Sequence, residues 1–165
     1  VNKEKIAKIE LLVLDVDGVL TDGKLYFDSN GFEMKSFHVR DGLGMKLLLK
    51  EGINIAIITG RKAAVVDRRM EELGVAEVHQ GVLDKVAVLN MIMKKYNLVS
   101  TDIAYIGDDI PDLSVMQLVG CKVAVADAVD VIKSQADVVL KNQGGQGAVR
   151  EFADMLLFAQ RSVCV

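Results

Sequence analysis

The 165-residue sequence has only two cysteines, only one proline and no tryptophan. Cys121 and Cys164 lie far apart and fit neither a disulfide framework nor a zinc-ligand spacing, which favours ordinary thiols in a reducing compartment. One proline, Pro111, and no low-complexity tract give no indication of a linker. We therefore expect a single domain over residues 1–165, because a chain of this length with 51% hydrophobic residues can bury a large core.

Long apolar runs and concentrated positive charge are also missing. The longest apolar run near the start, residues 11–14, ends at Asp15, whereas signal peptides and membrane-spanning helices need longer runs. The net charge is −3 and the basic residues are scattered, so no nucleic-acid partner is expected. The sequence thus predicts a cytoplasmic protein that binds neither membrane nor nucleic acid, although a local group of donors could still bind a small anion.

Short β-branched segments alternate with segments whose apolar residues follow helical spacing. Predicted strands cover residues 10–14, 54–58, 103–106, 122–125 and 137–140, and predicted helices cover residues 41–51, 62–73, 84–96 and 146–160. This alternation is typical of βαβ units. It predicts an α/β fold, a Rossmann-like three-layer sandwich with a mostly parallel central sheet.

Residues 24–38 interrupt this alternation. They resemble two strands around Ser29-Asn30-Gly31, which is a good turn sequence for a β-hairpin. The hairpin is rich in apolar side chains, namely Leu25, Tyr26, Phe27, Phe32 and Phe37. Because isolated two-stranded ribbons are marginal in water, we expect these side chains to pack against another subunit, although a plain surface ribbon is the simpler alternative.

Polar or small residues follow several predicted strands, and ligands of open parallel sheets bind outside the carboxyl ends of the strands. The candidate site residues lie just beyond a predicted strand or at the start of a helix, and they are Asp15, Asp17, Thr59, Gly60, Arg61, Lys85, Asp108 and Asp109. Alone, each has a simpler explanation as a turn, a helix cap or a solvated side chain. Their occurrence together, all at such positions, favours a functional site.

The spacing of the carboxylates indicates a possible chemistry. Asp15 and Asp17 are two residues apart, so their side chains can lean to the same side at the end of a strand. They would repel each other without a cation, and hard oxygen ligands suit Mg²⁺, with Asp108 as a further ligand. One carboxylate could then attack a phosphoryl group while the other protonates the leaving oxygen.

The charge on a transferring phosphoryl group also requires donors aimed at its oxygens. Thr59, the backbone N–H groups near Gly60, and Lys85 are suited to that role. Gly60 would also let the backbone approach a phosphate closely.

Four short segments of the sequence resemble the four motifs of the haloacid dehalogenase superfamily of phosphatases. They are Asp15-Val-Asp17-Gly-Val-Leu-Thr, Ile57-Ile-Thr59-Gly, Lys85 and Ile106-Gly-Asp108-Asp109. The resemblance spans nearly the whole chain and implies that Asp15 is the nucleophile and Asp17 the general acid and base. It further implies that Thr59 and Lys85 hold phosphate.

The same resemblance implies a magnesium site. Its ligands would be the side chains of Asp15 and Asp108 and the backbone carbonyl of Asp17, while Asp109 would support the site. The implied product is a free alcohol and phosphate, formed through an aspartyl-phosphate.

The hairpin stands where most members of this superfamily carry a cap domain. Together with residues 37–44 and the glycine-rich segment 144–151, it resembles a capless branch that hydrolyses phosphorylated sugar acids and forms homotetramers around its hairpins. Arg61, where relatives acting on nine-carbon substrates have Glu, favours an eight-carbon sugar acid and could contact it. Arg69 could reach a neighbouring site or remain solvated, and residues 144–147 could be a flexible lead into the last helix or cover an adjacent site.

Two non-catalytic alternatives remain. A phosphorylatable receiver domain also places acidic residues, a threonine and a lysine on a parallel sheet, but there the acidic residues come first in the chain. Here Thr59 and Lys85 both precede Asp108, which disfavours a receiver. A catalytically idle oligomerisation domain is disfavoured by the complete set of motifs, and turnover of any phosphate ester would distinguish it from an enzyme.

Overall fold

The computed structural model describes residues 2–163 and arranges six of the strands in one sheet. The strands are β1 (Leu11–Leu14), β2 (Tyr26–Phe27), β3 (Glu33–Met34), β4 (Asn54–Ile58), β5 (Glu77–His79), β6 (Ile103–Gly107), β7 (Cys121–Ala124) and β8 (Val138–Val139). The order in the sheet is β5-β4-β1-β6-β7-β8, and every neighbouring pair is parallel. The predicted parallel sheet is confirmed.

Helices flank this sheet. They are α1 (Lys3–Ala7), α2 (Val39–Lys50), α3 (Ala64–Leu73), α4 (Lys85–Tyr96), α5 (Leu113–Met116), α6 (Asp130–Gln135) and α7 (Ala148–Val163). Helix α2 packs against α3 and α7, α1 packs against α7, and α4 packs against α5. The four longer helices were expected from their apolar spacing, whereas α1, α5 and α6 are too short to give a periodic signal.

The central strands are buried along their full length because helices cover both faces of a parallel sheet. Every residue of β1 and β6 is buried, as are the last four of β4. Each large aliphatic side chain buried here contributes about 1.5–3 kcal/mol. The strands therefore form a stiff platform, and the turns at their carboxyl ends carry the polar residues.

Local signals fix the ends of the helices that lead to and from the site. Asp84 caps α4 by accepting the Ala87 N–H at 3.0 Å, which makes Lys85 the first helical residue. Helix α3 ends at Gly74 in the left-handed conformation, with φ of 81°. Within residues 2–163, no helix is both long and apolar enough to cross a membrane.

The hairpin is present but shorter than predicted. Its two strands, β2 and β3, contain only two residues each, and Gly31 has a φ of 82° at the turn. Phe37 is partly buried against the protein's own core, while its expected packing against another subunit stays a prediction. The other apolar hairpin side chains are exposed, and they are Leu25, Tyr26, Phe27, Phe32 and Met34.

Of the two cysteines, the structure describes Cys121. Cys121 is a free, buried thiol whose pKa is raised to about 11 by burial. It therefore stays protonated and behaves as a small apolar side chain. Cys164 lies outside the described residues.

Candidate active site

A cleft of about 530 Å³ opens at the carboxyl ends of β1, β4 and β6. Strand β1 lies between the other two, so the loops that follow all three strands meet at this edge of the sheet. The predicted site residues that line the cleft are Asp15, Asp17, Thr59, Gly60, Arg61, Lys85, Asp108 and Asp109. The fold thus brings together residues that are more than ninety positions apart in the sequence.

The ammonium group of Lys85 joins two carboxylates in the cleft. Lys85 Nζ lies 3.0 Å from Asp15 Oδ2 and 2.7 Å from Asp112 Oδ1. Burial opposes the charge of Lys85, but Asp15 and Asp112 outweigh burial and raise the pKa of Lys85. Burial and then the charge of Asp112 raise the pKa of Asp15, and Lys85 counteracts them only in part. Lys85 therefore remains a cation beside Asp15.

Asp112 is absent from the residues predicted from the sequence, yet it organises the end of β6. Its Oδ2 accepts the N–H groups of Asp108 at 2.9 Å and Asp109 at 3.4 Å, and its Oδ1 accepts from Tyr105 Oη at 2.5 Å. A Cβ on Gly107 would come within 2.6 Å of Asp112, so only glycine lets the turn fold back this closely. The available signal was an acidic residue four positions after Asp108.

Three carboxylates crowd together in the cleft. One oxygen from each of Asp15, Asp108 and Asp112 lies within 4.8 Å of the others. Burial, followed by repulsion from Asp112 and Asp15, raises the pKa of Asp108 to about 8, and Lys85 offsets this only partly. A divalent cation would relieve such an excess of negative charge, and carboxylate oxygens are ligands that Mg²⁺ prefers. Asp112 uses both of its oxygens, and so does Asp15, which accepts the Val16 N–H at 2.7 Å and pairs with Lys85. Asp108 is therefore the least engaged of the three carboxylates.

Gly18, in the loop after β1, allows this loop to approach Asp108, in the loop after β6, very closely. Gly18 has a φ of 85°, and a Cβ there would lie 2.0 Å from Asp108 Oδ2. On its other side, Gly18 touches the segment before α7, since a Cβ on Gly144 would lie 1.7 Å from the Gly18 carbonyl oxygen. The Gly145 N–H donates to the Val19 carbonyl at 2.9 Å. The glycine-rich segment 144–147 therefore packs against the protein's own loop after β1.

The loop after β4 forms the opposite wall of the cleft. Thr59 is buried, its N–H donates to the His79 carbonyl at 3.0 Å, and its carbonyl accepts the Val82 N–H at 3.0 Å. These bonds tie the turn of Thr59 and Gly60 to the loop between β5 and α4. Backbone N–H groups and the Thr59 side chain are thereby held at the site with little freedom.

The carboxylate of Asp17 lies apart from the three crowded carboxylates. It contacts the Lys35 ammonium group and lies 3.6 Å from Arg61 Nε. The prediction that Asp17 contributes to a metal site concerns its backbone carbonyl, and it stays a prediction. The side chain of Asp17 is instead held at the side of the cleft that faces the hairpin.

Comparison with known proteins finds relatives over nearly the whole chain. A family model described as haloacid dehalogenase-like hydrolase matches residues 71–152. The chain is 47% identical over 156 residues to the 3-deoxy-D-manno-octulosonate 8-phosphate phosphatase KdsC of Escherichia coli. The aligned region covers 94% of this chain and 83% of that relative. The chain belongs to the haloacid dehalogenase superfamily. It is a phosphoric monoester hydrolase.

Solved structures resemble this phosphatase throughout its fold. A superfamily hydrolase of subfamily III A from Legionella pneumophila has a TM-score of 0.95 and 49% identity, covering 97% of this chain and 88% of its own. The 3-deoxy-D-manno-octulosonate 8-phosphate phosphatase from Moraxella catarrhalis has a TM-score of 0.94 and 41% identity, and the match covers 97% of this chain and 92% of that one. That structure holds a magnesium ion, a phosphate ion and a KDO molecule. The predicted α/β fold and superfamily are confirmed.

Arg69 is the one predicted site residue that does not line the cleft of this phosphatase. Its guanidinium pairs with Glu72 at 2.8 Å and lies against Gly42 of α2, where a Cβ would come within 2.3 Å of it. Arg69 therefore lies outside this chain's own cleft. Its suggested contact with a neighbouring subunit stays a prediction.

Proposed function

We propose that this phosphatase hydrolyses 3-deoxy-D-manno-octulosonate 8-phosphate to the free sugar acid and phosphate through a phospho-aspartate on Asp15. The observation that carries the proposal is the contact between Asp15 and Lys85, 3.0 Å apart, beside the carboxylate of Asp108. This contact places a nucleophile, Asp15, next to a fixed cation, Lys85, and next to a group that could bind a metal ion, Asp108. The relatives from Escherichia coli and Moraxella catarrhalis support this substrate.

The reaction would proceed in two balanced steps. Asp15 attacks the phosphorus atom, the bond to the sugar oxygen breaks, and Asp17 donates a proton to that oxygen. Water then attacks the phosphorus of the aspartyl-phosphate and gives a proton to Asp17 as the bond to Asp15 breaks. Lys85, with Thr59 and the N–H groups near Gly60, would stabilise the phosphoryl oxygens in both steps.

Magnesium is the cofactor we propose, held by the side chains of Asp15 and Asp108 and the backbone carbonyl of Asp17. When bound, the ion would screen the carboxylates from one another and from the anionic phosphoryl group. The support from this chain is the crowding of Asp15, Asp108 and Asp112 in a buried place, where burial, followed by repulsion from Asp112 and Asp15, raises the pKa of Asp108 to about 8. Asp109 would support this site from its edge.

The sugar acid would lie towards the hairpin and Arg61. The Arg61 side chain lines the cleft next to Asp17, where a guanidinium could contact the carboxylate or hydroxyl groups of the substrate. The alternative substrate is the phosphate of the nine-carbon sugar acid. A ratio of kcat/KM for the two esters of at least about tenfold in favour of the eight-carbon ester is expected, given what single pocket contacts discriminate.

We also propose that the chain works as a homotetramer. The exposed apolar side chains of the hairpin, Phe27 and Phe32 among them, are the support from this chain. Sedimentation velocity should give the mass of four chains, and Phe27→Asp together with Phe32→Asp should yield smaller species. A monomeric wild-type protein at micromolar concentration would contradict this assembly.

The catalytic proposal is tested by Asp15→Asn with Mg²⁺ present. Hydrolysis of the eight-carbon ester should fall by at least about a thousandfold, because the nucleophile is lost while the shape of the side chain is kept. The intact mass of acid-quenched wild-type enzyme should show one added phosphoryl group, which the variant lacks. Asp67→Asn, an exposed position on α3, is the matched control and should retain full activity.

Two results would decide against the proposal. Ordinary turnover by Asp15→Asn would exclude a phospho-aspartate at this position. A wild-type protein that is folded and metal-loaded yet hydrolyses no phosphate ester would favour the idle oligomerisation domain.

A further inference from the structure

Four charged side chains of alternating sign form a closed ring between the hairpin and the cleft. Lys35 Nζ contacts Asp17 Oδ1 and lies 2.9 Å from Glu33 Oε1. Arg61 closes the ring, with its Nη2 3.1 Å from Glu33 Oε2 and its Nε 3.6 Å from Asp17 Oδ2. Each oxygen of Asp17 therefore faces a different cation, one from the hairpin and one from the loop after β4.

The alternation of side chains along β3 explains how the hairpin reaches the site. Successive residues of a strand point to opposite faces, so Glu33 and Lys35 share one face while Phe32 and Met34 share the other. Lys35 contacts Asp17 and Glu33 contacts Lys35, whereas Phe32 and Met34 are exposed. A hairpin that looks like an apolar ribbon thus has a charged inner face directed at the cleft.

Burial distinguishes Lys35 from the other cations of this region. The Lys35 side chain is only 2% exposed, whereas Arg61 is 47% exposed and Lys24, at the base of the same hairpin, is 73% exposed. A lysine loses hydration when it is buried, so its position is favourable only while its carboxylate partners remain in place. Lys35 is therefore held in its ion pairs with Asp17 and Glu33, whereas the more exposed Arg61 side chain can turn towards a substrate.

We propose that Lys35 is a positioning residue that holds the Asp17 carboxylate where it can exchange a proton with the leaving oxygen. This inference rests on the proposed function, in which Asp17 is the general acid and base. Proton transfer requires the two heavy atoms to approach to about 2.6–3.2 Å. Fixing one Asp17 oxygen from the hairpin leaves the other to move between Arg61 and the substrate.

The chemistry gives a readout that a purely structural role would not share. A sugar alkoxide is a poor leaving group and needs a proton from Asp17 as the P–O bond breaks. The 4-nitrophenolate ion leaves without one, so hydrolysis of 4-nitrophenyl phosphate depends little on a general acid. Because kcat/KM reports the steps up to formation of the aspartyl-phosphate, loss of positioning should appear in kcat/KM for the sugar ester alone.

The experiment measures kcat/KM of the Mg²⁺-loaded enzyme for the eight-carbon ester and for 4-nitrophenyl phosphate. Lys35→Met should lower the value about 100-fold for the sugar ester and less than about threefold for 4-nitrophenyl phosphate. Lys35→Arg, which keeps the charge, should recover most of the loss. Lys24→Met is the matched control on the same hairpin and should change neither value.

A double-mutant cycle with Asp17→Asn tests whether Lys35 acts through Asp17. In the Asp17→Asn background, Lys35→Met should cause no further loss, because the group that it positions is already gone. If Lys35→Met alone does not fold, Glu33→Gln combined with Lys35→Met removes one charge of each sign and takes its place in the test. Thermal melts show whether Lys35→Met is folded, and hence whether it or the double variant is used in the cycle.

The outcomes separate this inference from the proposed function. Equal losses for both esters, or additive losses in the cycle, would overturn the positioning role. If Asp15→Asn is inactive at the same time, the phospho-aspartate mechanism still stands. If Asp15→Asn is active, the mechanism itself fails, and the inference about Lys35 fails with it.

Discussion

Magnesium binding to the carboxylate cluster should weaken steeply as the pH falls, because protons compete for Asp108. In the metal-free protein, burial and the charges of Asp112 and Asp15 raise the pKa of Asp108 to about 8. A cation that binds only the ionised form must displace this proton. The apparent dissociation constant should therefore be roughly 50-fold higher at about pH 6 than at pH 8, from one competing proton with a pKa of about 8.

The assay is calorimetric titration of the metal-free protein with Mg²⁺ at several pH values. Repeating each titration in buffers of different ionisation enthalpy counts the protons released, which should approach one at about pH 6 and fall at higher pH. Asp108→Asn should bind Mg²⁺ weakly and without this pH dependence. Asp67→Asn, on the exposed side of α3, should behave like the wild type.

The pH dependence of thermal stability tests the protonation of Asp108 independently. The folded pKa of Asp108 is raised above its ordinary value of 3.8, so the metal-free protein loses stability as the pH rises from about 4 towards 8. Bound Mg²⁺ removes this penalty, and its effect on Tm should grow over the same range. An affinity that is equal at both ends of the range, or an unchanged pH dependence in Asp108→Asn, would refute the reasoning.

Three further predictions concern other parts of the structure. Gly18→Ala should weaken Mg²⁺ binding at least about tenfold, because its Cβ would overlap Asp108, whereas Gly31→Ala, with similar φ and open space, should only lower Tm slightly. Asp112→Asn should lower kcat/KM about 10- to 100-fold while the circular dichroism spectrum is unchanged, because Lys85 loses a carboxylate partner. Burial raises the pKa of Glu77, but hydrogen bonds outweigh burial and lower it to about 2, so the wild-type protein should lose stability as the pH falls from about 4.5 to 2. In Glu77→Gln this decrease of Tm with falling pH should be smaller.

The central sheet and most of the cleft could be predicted because their signals are local. Strands β1, β4 and β6 are short apolar runs that end in polar residues, and the rule that parallel strands align their carboxyl ends places those polar residues together. For this reason the positions of Asp15 and Asp108 followed from the sequence before any contact was known. The resemblance to the haloacid dehalogenase superfamily implies their roles, which the activity of Asp15→Asn and the Mg²⁺ affinity of Asp108→Asn test.

The interactions that were missed depend on tertiary structure. Asp112 looks like an ordinary acidic residue after a proline, and only the tight turn at Gly107 brings it back to Lys85. Lys35 looks like a solvated lysine on a hairpin, and only the approach of the hairpin to Asp17 buries it. Neither position shows a periodic pattern or a recognisable spacing, so propensity rules assign both to the surface.

The two charged clusters divide the cleft into halves of different electrostatic character. Around Asp15, three crowded carboxylates face the single ammonium group of Lys85, so this half carries an excess of negative charge. Such a site would repel a phosphate dianion until a cation is bound, so in the proposed reaction metal binding would be a condition for substrate binding. The ring of Asp17, Lys35, Glu33 and Arg61 has as many cations as anions, so the hairpin half could accept the proposed sugar acid without that condition. In the proposed reaction the short hairpin would therefore form an electrically balanced wall beside the leaving group, which is where a fixed proton donor is needed.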